Sequence, residues 1–213
     1  MEVSVMFWSK SGTAVVFGLA MAVGCGGGTE MASSEPAGAP PEAAAPEEAP
    51  AAQSMLGGGT LTPVHEGAAG SPHVQVDWEV SGANLSVTYG RPYLRDRVVG
   101  DSVEPLADKV WRLGADEATT FSTSGDLMVG SVHVPAGEYT LFTLTSGDTT
   151  ELIVNSETGQ WGTAYNEDSD LGRAEMSVST LDTPADQLTI FIENSELRFE
   201  WGAMAASVPI VVH

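Results

Sequence analysis

The chain has 213 residues, of which 8 are basic and 29 acidic, so its formal net charge is -21. Nucleic acid is a poor partner for such a chain, because phosphates are bound through basic side chains, and anionic lipid head groups would repel it. The chain contains one cysteine. A single cysteine excludes an internal disulfide. It also excludes redox reactions, zinc sites and protease mechanisms that depend on cysteine side chains of the folded domain.

The N-terminus has the pattern of an exported lipoprotein. Lys10 is followed by an uncharged apolar stretch over residues 11–24. This stretch is shorter than the about 20 apolar residues of a stable membrane span, but it has the length of a secretory signal. It ends in Val23-Gly24-Cys25 after an alanine, which resembles the lipobox in which a cysteine is lipidated and becomes the mature N-terminus. We therefore predict a lipoprotein signal peptide over 1–24; an ordinary signal peptide with a chance cysteine is the alternative.

Residues 25–70 comprise this cysteine and a segment dominated by Ala, Pro, Gly, Glu and Ser, with few aromatic or β-branched side chains. A segment of this composition buries too little apolar surface to offset its ordering entropy. We expect a lipidated Cys25 and a disordered linker that holds the rest of the chain clear of the membrane. The folded domain is predicted over 71–213.

Within 71–213 the dominant pattern is that of short β-strands separated by Gly, Asp, Asn and Ser. Val74, Val76 and Trp78 share one parity, which indicates a strand with one buried face. Apolar residues of both parities in 139–144 indicate a central strand covered on both faces. Only 105–111 could form a helical turn. The predicted fold class is all-β, an antiparallel β-sandwich or small barrel of roughly ten short strands.

Several separated motifs stand out within residues 71–213. They are Gly90-Arg91-Pro92, Lys109-Val110-Trp111-Arg112, Gly114-Ala115-Asp116-Glu117-Ala118-Thr119, Pro135-Ala136-Gly137 and Gln160-Trp161-Gly162. Together they resemble, over essentially all of residues 71–213, the bacterial family called domain of unknown function 2911. The resemblance implies an exported, β-rich protein without implying an activity.

The densest polar stretch, residues 111–120, contains Arg112, Asp116 and Glu117, which we assign to one short loop. An arginine can hold a carboxylate through two hydrogen bonds, so Arg112 could orient an anionic ligand. The alternative is a structural ion pair that fixes the loop. Arg91, which precedes a proline, is a second candidate with the same two interpretations.

Aromatic residues outside the alternating runs are candidates for stacking on sugars or other flat ligands. Trp161, Tyr165 and Tyr93 lie in Gly-rich or charged segments, where binding residues are often found. Capping of the core is the alternative for these loop aromatics. Trp78 and Trp201 have the parity of core residues, and we interpret them as packing.

Motifs for metal binding or catalysis are incomplete. Asn166, Asp168 and Asp170 are spaced like the start of a calcium loop, but the glycine and the closing glutamate of that loop are missing. His73 and His133 have no evident partner in the sequence. We expect no metal site, no cofactor and no assigned catalytic residue, although calcium binding by the 166–170 loop without the complete motif and a glycosidase-type carboxylate pair both stay open.

The leading hypothesis from these residues is a non-enzymatic binding or interaction module on a lipid tether, outside the cytoplasm, at the periplasmic side or the outer membrane. Its partners would be the membrane, through Cys25, and a small molecule or glycan, but not nucleic acid. One alternative is a hydrolase that uses Asp116 or Glu117 with Arg112, which would place all three in one deep pocket. The other is a purely structural envelope protein with a large apolar patch.

Overall fold

The structure is a computed structural model that describes residues 54–213, and this part of the chain is almost entirely antiparallel β-sheet. Two short 3-10 turns, Ala68–Gly70 and Glu167–Ser169, accompany the strands. Within the described residues, no helix is both long enough and apolar enough for a membrane span. The strands are β1 (Ser54–Leu56), β2 (Gly59–Glu66), β3 (Pro72–Val80), β4 (Ala83–Gly90), β5 (Val110–Trp111), β6 (Ala115–Thr123), β7 (Leu127–Val129), β8 (Val132–Val134), β9 (Gly137–Ser146), β10 (Thr149–Asn155), β11 (Asp170–Glu193) and β12 (Glu196–Val212).

The strands form one continuous hydrogen-bonded sheet in the order β1-β2-β3-β4-β6-β9-β10-β11-β12-β7-β8, with β5 added on β9. The sheet is open and has the form of a sandwich, in agreement with the all-β prediction. The two longest strands, β11 and β12, are neighbours in this sheet. β11 pairs with β10 through its first residues and with β12 from Ser177 onward, and this second pairing has register shifts on both sides of Ala185. Such bulges bend a strand.

The core lies between the layers and follows the parity that the sequence predicts. Trp78 and Trp201 are both buried, which confirms their assignment to packing. Leu141 joins the main core while its neighbour Phe142 joins a smaller cluster on the other face, so β9 is covered on both sides as predicted. The main core includes Val76, Leu85, Val87, Phe121, Leu152, Leu188, Ile190 and Phe199.

Three features of the fold differ from the sequence-based expectations. The sheet begins at Ser54 rather than after residue 70, because β2 pairs along β3 and buries Leu61. Residues 105–111 contain no helical turn and end in β5. Asp116 and Glu117 lie at the start of β6 and not in a loop, since Ala115 pairs with Gly90 of β4 and Glu117 forms a bridge with Trp161.

Candidate functional site

The candidate site lies where the ends of β2, β3 and β6 meet. His65 of β2 is the register partner of His73 of β3, and His73 is in turn the partner of Gly90 in β4. Gly90 pairs with Ala115, which directly precedes Asp116 and Glu117 in β6. Backbone pairing across four strands therefore places two imidazoles and two carboxylates side by side.

The four side chains make short polar contacts with one another. His73 is only 3% exposed, and its Nε2 lies 3.2 Å from Oε2 of Glu117 and 3.3 Å from Oδ2 of Asp116. The Nε2 atom of His65 lies 3.9 Å from Oε1 of Glu117. The two imidazole rings stack with 4.3 Å between their centroids. One face of the cluster is buried and the other, formed by His65 and Glu117, is half exposed.

Two glycines make this close packing possible. A Cβ atom at Gly90 would lie 2.8 Å from Nε2 of His73, and one at Gly67 would lie 2.6 Å from Oδ2 of Asp116. Asp116 itself has a positive φ of 62° and accepts a hydrogen bond of 2.8 Å from the backbone N–H of Ala68. The backbone is thus shaped to bring Asp116 and His73 together, since a positive φ is uncommon for a residue other than glycine.

The orientation of His65 is set by its other ring nitrogen. Its Nδ1 lies 3.0 Å from the backbone carbonyl oxygen of Glu66. When Nδ1–H donates to that carbonyl, Nε2 is left with a free lone pair that faces Glu117. Metal-binding histidines commonly have this arrangement, in which a hydrogen bond at one nitrogen fixes the tautomer that binds through the other.

The donor atoms of His65, His73 and Glu117 all lie within 4.8 Å of one another. Imidazole and carboxylate are ligands of zinc and of other divalent transition metals. A cavity of about 230 Å³ adjoins the three side chains and is lined further by Thr88, Thr120 and Gln160. The arrangement can therefore hold one metal ion beside a space for a further ligand.

The structure separates Arg112 from the two carboxylates with which the sequence analysis grouped it. Within residues 54–213 Arg112 forms no ion pair, so neither Asp116 nor Glu117 is its structural partner. It lines a different cavity of about 130 Å³ together with Lys109 and Tyr165. Its Nε atom is buried without a hydrogen-bond partner among the described residues.

Arg91 has a clear role in the fold. Its Nε donates to the backbone carbonyl of Leu188 at 3.1 Å, and its Nη2 donates to Oγ1 of Thr189 at 3.0 Å. Gln187 returns a hydrogen bond from its side-chain amide to the Arg91 carbonyl at 3.2 Å. Arg91 therefore joins the end of β4 to β11.

Of the three aromatic candidates, Trp161 and Tyr93 are exposed and Tyr165 is packed; the backbone of Tyr93 forms a bridge with Gln187 of β11. Trp161 is 54% exposed, and its backbone pairs with Glu117, so it stays available next to the cluster. Tyr165 packs edge-on against Phe142 and donates its hydroxyl hydrogen to Asp170 at 2.6 Å. Burial, together with the Asp170 carboxylate, raises the pKa of Tyr165 to about 12. Tyr165 caps the smaller apolar cluster.

The side chains of the incomplete calcium motif also make hydrogen bonds within the domain. Asn166 accepts the N–H of Asp168 at the 3-10 turn, and Asp170 accepts hydrogen bonds from Tyr165 and Arg173. An arginine against this carboxylate takes the place that a cation would need. These contacts explain the segment as a turn of the fold.

The sequence analysis missed the two histidines. His65 was assigned to the linker, and His73 was described as having no evident partner. The sequence feature that could have revealed their pairing is the turn Gly67-Ala68-Ala69-Gly70 between them. This turn joins two antiparallel strands and sets the histidines opposite each other. Because β2 was not predicted, this register could not be read.

Comparison with known proteins gives a family and no activity. Residues 71–210 match the family described as Protein of unknown function (DUF2911). The chain belongs to this family. No curated protein and no solved structure matches the chain. His73, Asp116 and Glu117 lie inside the DUF2911 region, whereas His65 lies before its first residue.

Proposed function

We propose that this chain is a lipid-anchored protein of the cell envelope whose β-domain binds one divalent transition metal ion of the zinc type. The observation that carries the metal site is the trio His65, His73 and Glu117, whose donor atoms lie within 4.8 Å of one another. The anchor at Cys25 and the location outside the cytoplasm, at the periplasmic side or the outer membrane, are supported by the N-terminal sequence alone. Cys25 lies outside the described residues.

The spacing of the donors fits a small ion. With metal–ligand bonds of about 2.1 Å, tetrahedral geometry separates neighbouring donor atoms by about 3.4 Å. The Nε2 atom of His73 and Oε2 of Glu117 are 3.2 Å apart, and Nε2 of His65 and Oε1 of Glu117 are 3.9 Å apart. Small side-chain rotations would therefore complete the site.

Charge and donor type favour the same class of ion. With neutral imidazoles, the ionised Asp116 and Glu117 give the cluster two negative charges, which one divalent cation balances. Calcium and magnesium prefer oxygen ligands only, whereas a set of two nitrogens and a carboxylate suits zinc and its transition-metal neighbours. The protein acts in this proposal as a binding module; the three protein ligands leave a coordination position towards the adjoining cavity.

A titration tests the metal site. Zinc sulfate is added to the EDTA-treated full chain and followed by isothermal titration calorimetry. We expect one equivalent of zinc to bind, because the described residues place the donor atoms of His65, His73 and Glu117 within reach of a single ion. His65→Ala and Glu117→Gln should each weaken binding by more than about tenfold, since even outer-shell partners of a metal typically contribute this much.

The matched control is His133→Ala, because His133 is an exposed histidine of β8 whose ring lies 3.8 Å from Asp126. It should bind zinc like the unmodified chain. Equal zinc affinity in His65→Ala and in the unmodified chain, or tighter binding of calcium than of zinc, would contradict the proposal.

A further inference from the structure

The outward face of β3, β4 and β6 forms a broad polar groove of about 750 Å³. Its walls are rich in hydroxyl, amide and carboxylate groups, and none of the described residues that line it is basic. It meets the smaller cavity beside the histidines at Thr88 and Thr120, which line both. The groove is therefore a second candidate site, continuous with the first.

Strand register arranges the polar groups of the groove in a transverse row. Asp77 pairs with Ser86, Ser86 with Ser122, and Ser122 with Glu138. Because neighbouring strands lie about 4.8 Å apart, the two carboxylates stand about 14 Å apart with two hydroxyls between them. The next row repeats the pattern without charge, as Gln75, Thr88 and Thr120 are successive partners.

Part of this surface is held in place by its own hydrogen bonds. The amide of Gln75 donates to both carboxylate oxygens of Asp77, at 2.9 and 3.1 Å. Ser124 accepts the backbone N–H of Asn84 at 2.8 Å, which fixes the far wall. A surface with side chains fixed in this way loses less conformational entropy when a ligand binds.

The backbone pairing and the side chains of the groove indicate which class of ligand fits it. The backbone groups of β3, β4 and β6 are paired with neighbouring strands, so an added peptide strand finds no free N–H or carbonyl groups there, and the hydroxyl-lined face has few apolar pockets for peptide side chains. Among the described residues, Asp77, Glu79 and Glu138 form no ion pair, so their carboxylates repel anionic chains and attract amino groups. We propose that the groove binds an oligosaccharide that carries free amino groups, with its hydroxyls on the serine and threonine rows and its ammonium groups on Asp77 and Glu138.

A binding experiment with defined oligosaccharides tests this proposal. The EDTA-treated full chain is titrated by calorimetry with a β-1,4-linked glucosamine hexamer, with the N-acetylated hexamer and with hexalysine. We expect the glucosamine hexamer to bind at least about tenfold more tightly than the other two, because it alone offers both hydroxyls and ammonium groups. Binding should weaken as salt is added.

Two sets of variants connect binding to the groove. Asp77→Asn combined with Glu138→Gln keeps the shape and should weaken binding of the hexamer by at least about tenfold, since it removes the charge from two hydrogen bonds to ammonium groups. The control, Asp148→Asn combined with Glu175→Gln, removes two exposed carboxylates elsewhere and should leave the affinity unchanged.

Absence of binding, equal binding of the N-acetylated hexamer or of hexalysine, or an unchanged affinity in the groove variant would each overturn the proposal. Because the titration is done without metal, its failure is separate from failure of the zinc site. A chain that binds zinc but no hexamer would refute only the groove, and a chain that binds the hexamer but no zinc would refute only the metal site.

Discussion

Glu104 is the residue at which a surface ion pair meets the core. Its backbone carbonyl accepts a hydrogen bond of 2.9 Å from the indole of the buried Trp201, and its carboxylate lies 2.9 Å from the ammonium of Lys109. Burial raises the pKa of the Glu104 carboxyl, but the hydrogen bond from Lys109 and the charges of Lys109 and Arg112 lower it more. The resulting pKa lies below the ordinary value of 4.5.

This shift predicts a pH dependence of stability. Because the pKa is lower in the folded chain, ionised Glu104 stabilises the fold above about pH 4.5, and this stabilisation is lost as the pH falls through the folded-state pKa. Glu104→Gln should therefore lower the Tm by a few degrees at pH 7 and by much less at pH 3. Thermal unfolding at both pH values measures this. Glu193→Gln, at an exposed position, serves as control. A decrease in Tm for Glu104→Gln that is as large at pH 3 as at pH 7 would refute the stabilising role of ionised Glu104.

At the scale of elements, the strands that could be predicted are those whose alternation is complete. β3, with Val74, Val76 and Trp78, was predicted because its buried parity is continuous. β2 and the start of β6 were missed because their polar side chains give no alternation, and their strand conformation depends on pairing with β3 and β4. The candidate site combines those two missed elements. Sequence patterns therefore predicted the core, whereas the site depended on tertiary pairing.

Gly90, the last residue of β4, is the element-level feature that allows β3 and β6 to approach at the site. A Cβ there would lie 2.5 Å from the carbonyl oxygen of Ala115 and 2.8 Å from Nε2 of His73. Gly90→Ala should cost about 1–3 kcal/mol of unfolding free energy, as overpacking usually does, and should weaken zinc binding because His73 is displaced. Urea unfolding and zinc calorimetry measure the two effects.

Gly137→Ala is the matched control, since the nearest atoms to its added Cβ all belong to the Tyr139 side chain, beginning with the hydroxyl oxygen at 3.2 Å. Gly137→Ala should change the unfolding free energy and the zinc affinity much less than Gly90→Ala does. Unfolding free energies that are equal for the two alanine variants would show that the strands tolerate a side chain at Gly90.

At the scale of the whole molecule, most basic side chains of the β-domain are used in contacts within the fold, whereas the net charge comes from the acidic side chains. The net charge is -21, and most basic residues of the β-domain contact groups of the same domain. Because these cations already contact groups of the same domain, they are less available to a polyanion. The carboxylates of the groove and of the proposed metal site have no arginine or lysine partner among the described residues. The basic residues with such contacts are Arg91, Arg95, Arg97, Lys109, Arg173 and Arg198.

The proposed anchor determines where those carboxylates are displayed. Cys25 is the only cysteine of the chain, and it follows an apolar stretch of signal-peptide length. A single acyl chain gives only marginal membrane binding, so stable attachment requires the several chains that a lipoprotein cysteine carries.

In a bacterial host fed radiolabelled palmitate, the unmodified chain should be labelled and sediment with membranes. Cys25→Ser should lose the label and leave the membrane fraction, whereas Ser33→Ala should behave like the unmodified chain. Membrane sedimentation of an unlabelled Cys25→Ser chain would show that the tether is not a lipid on this sulfur.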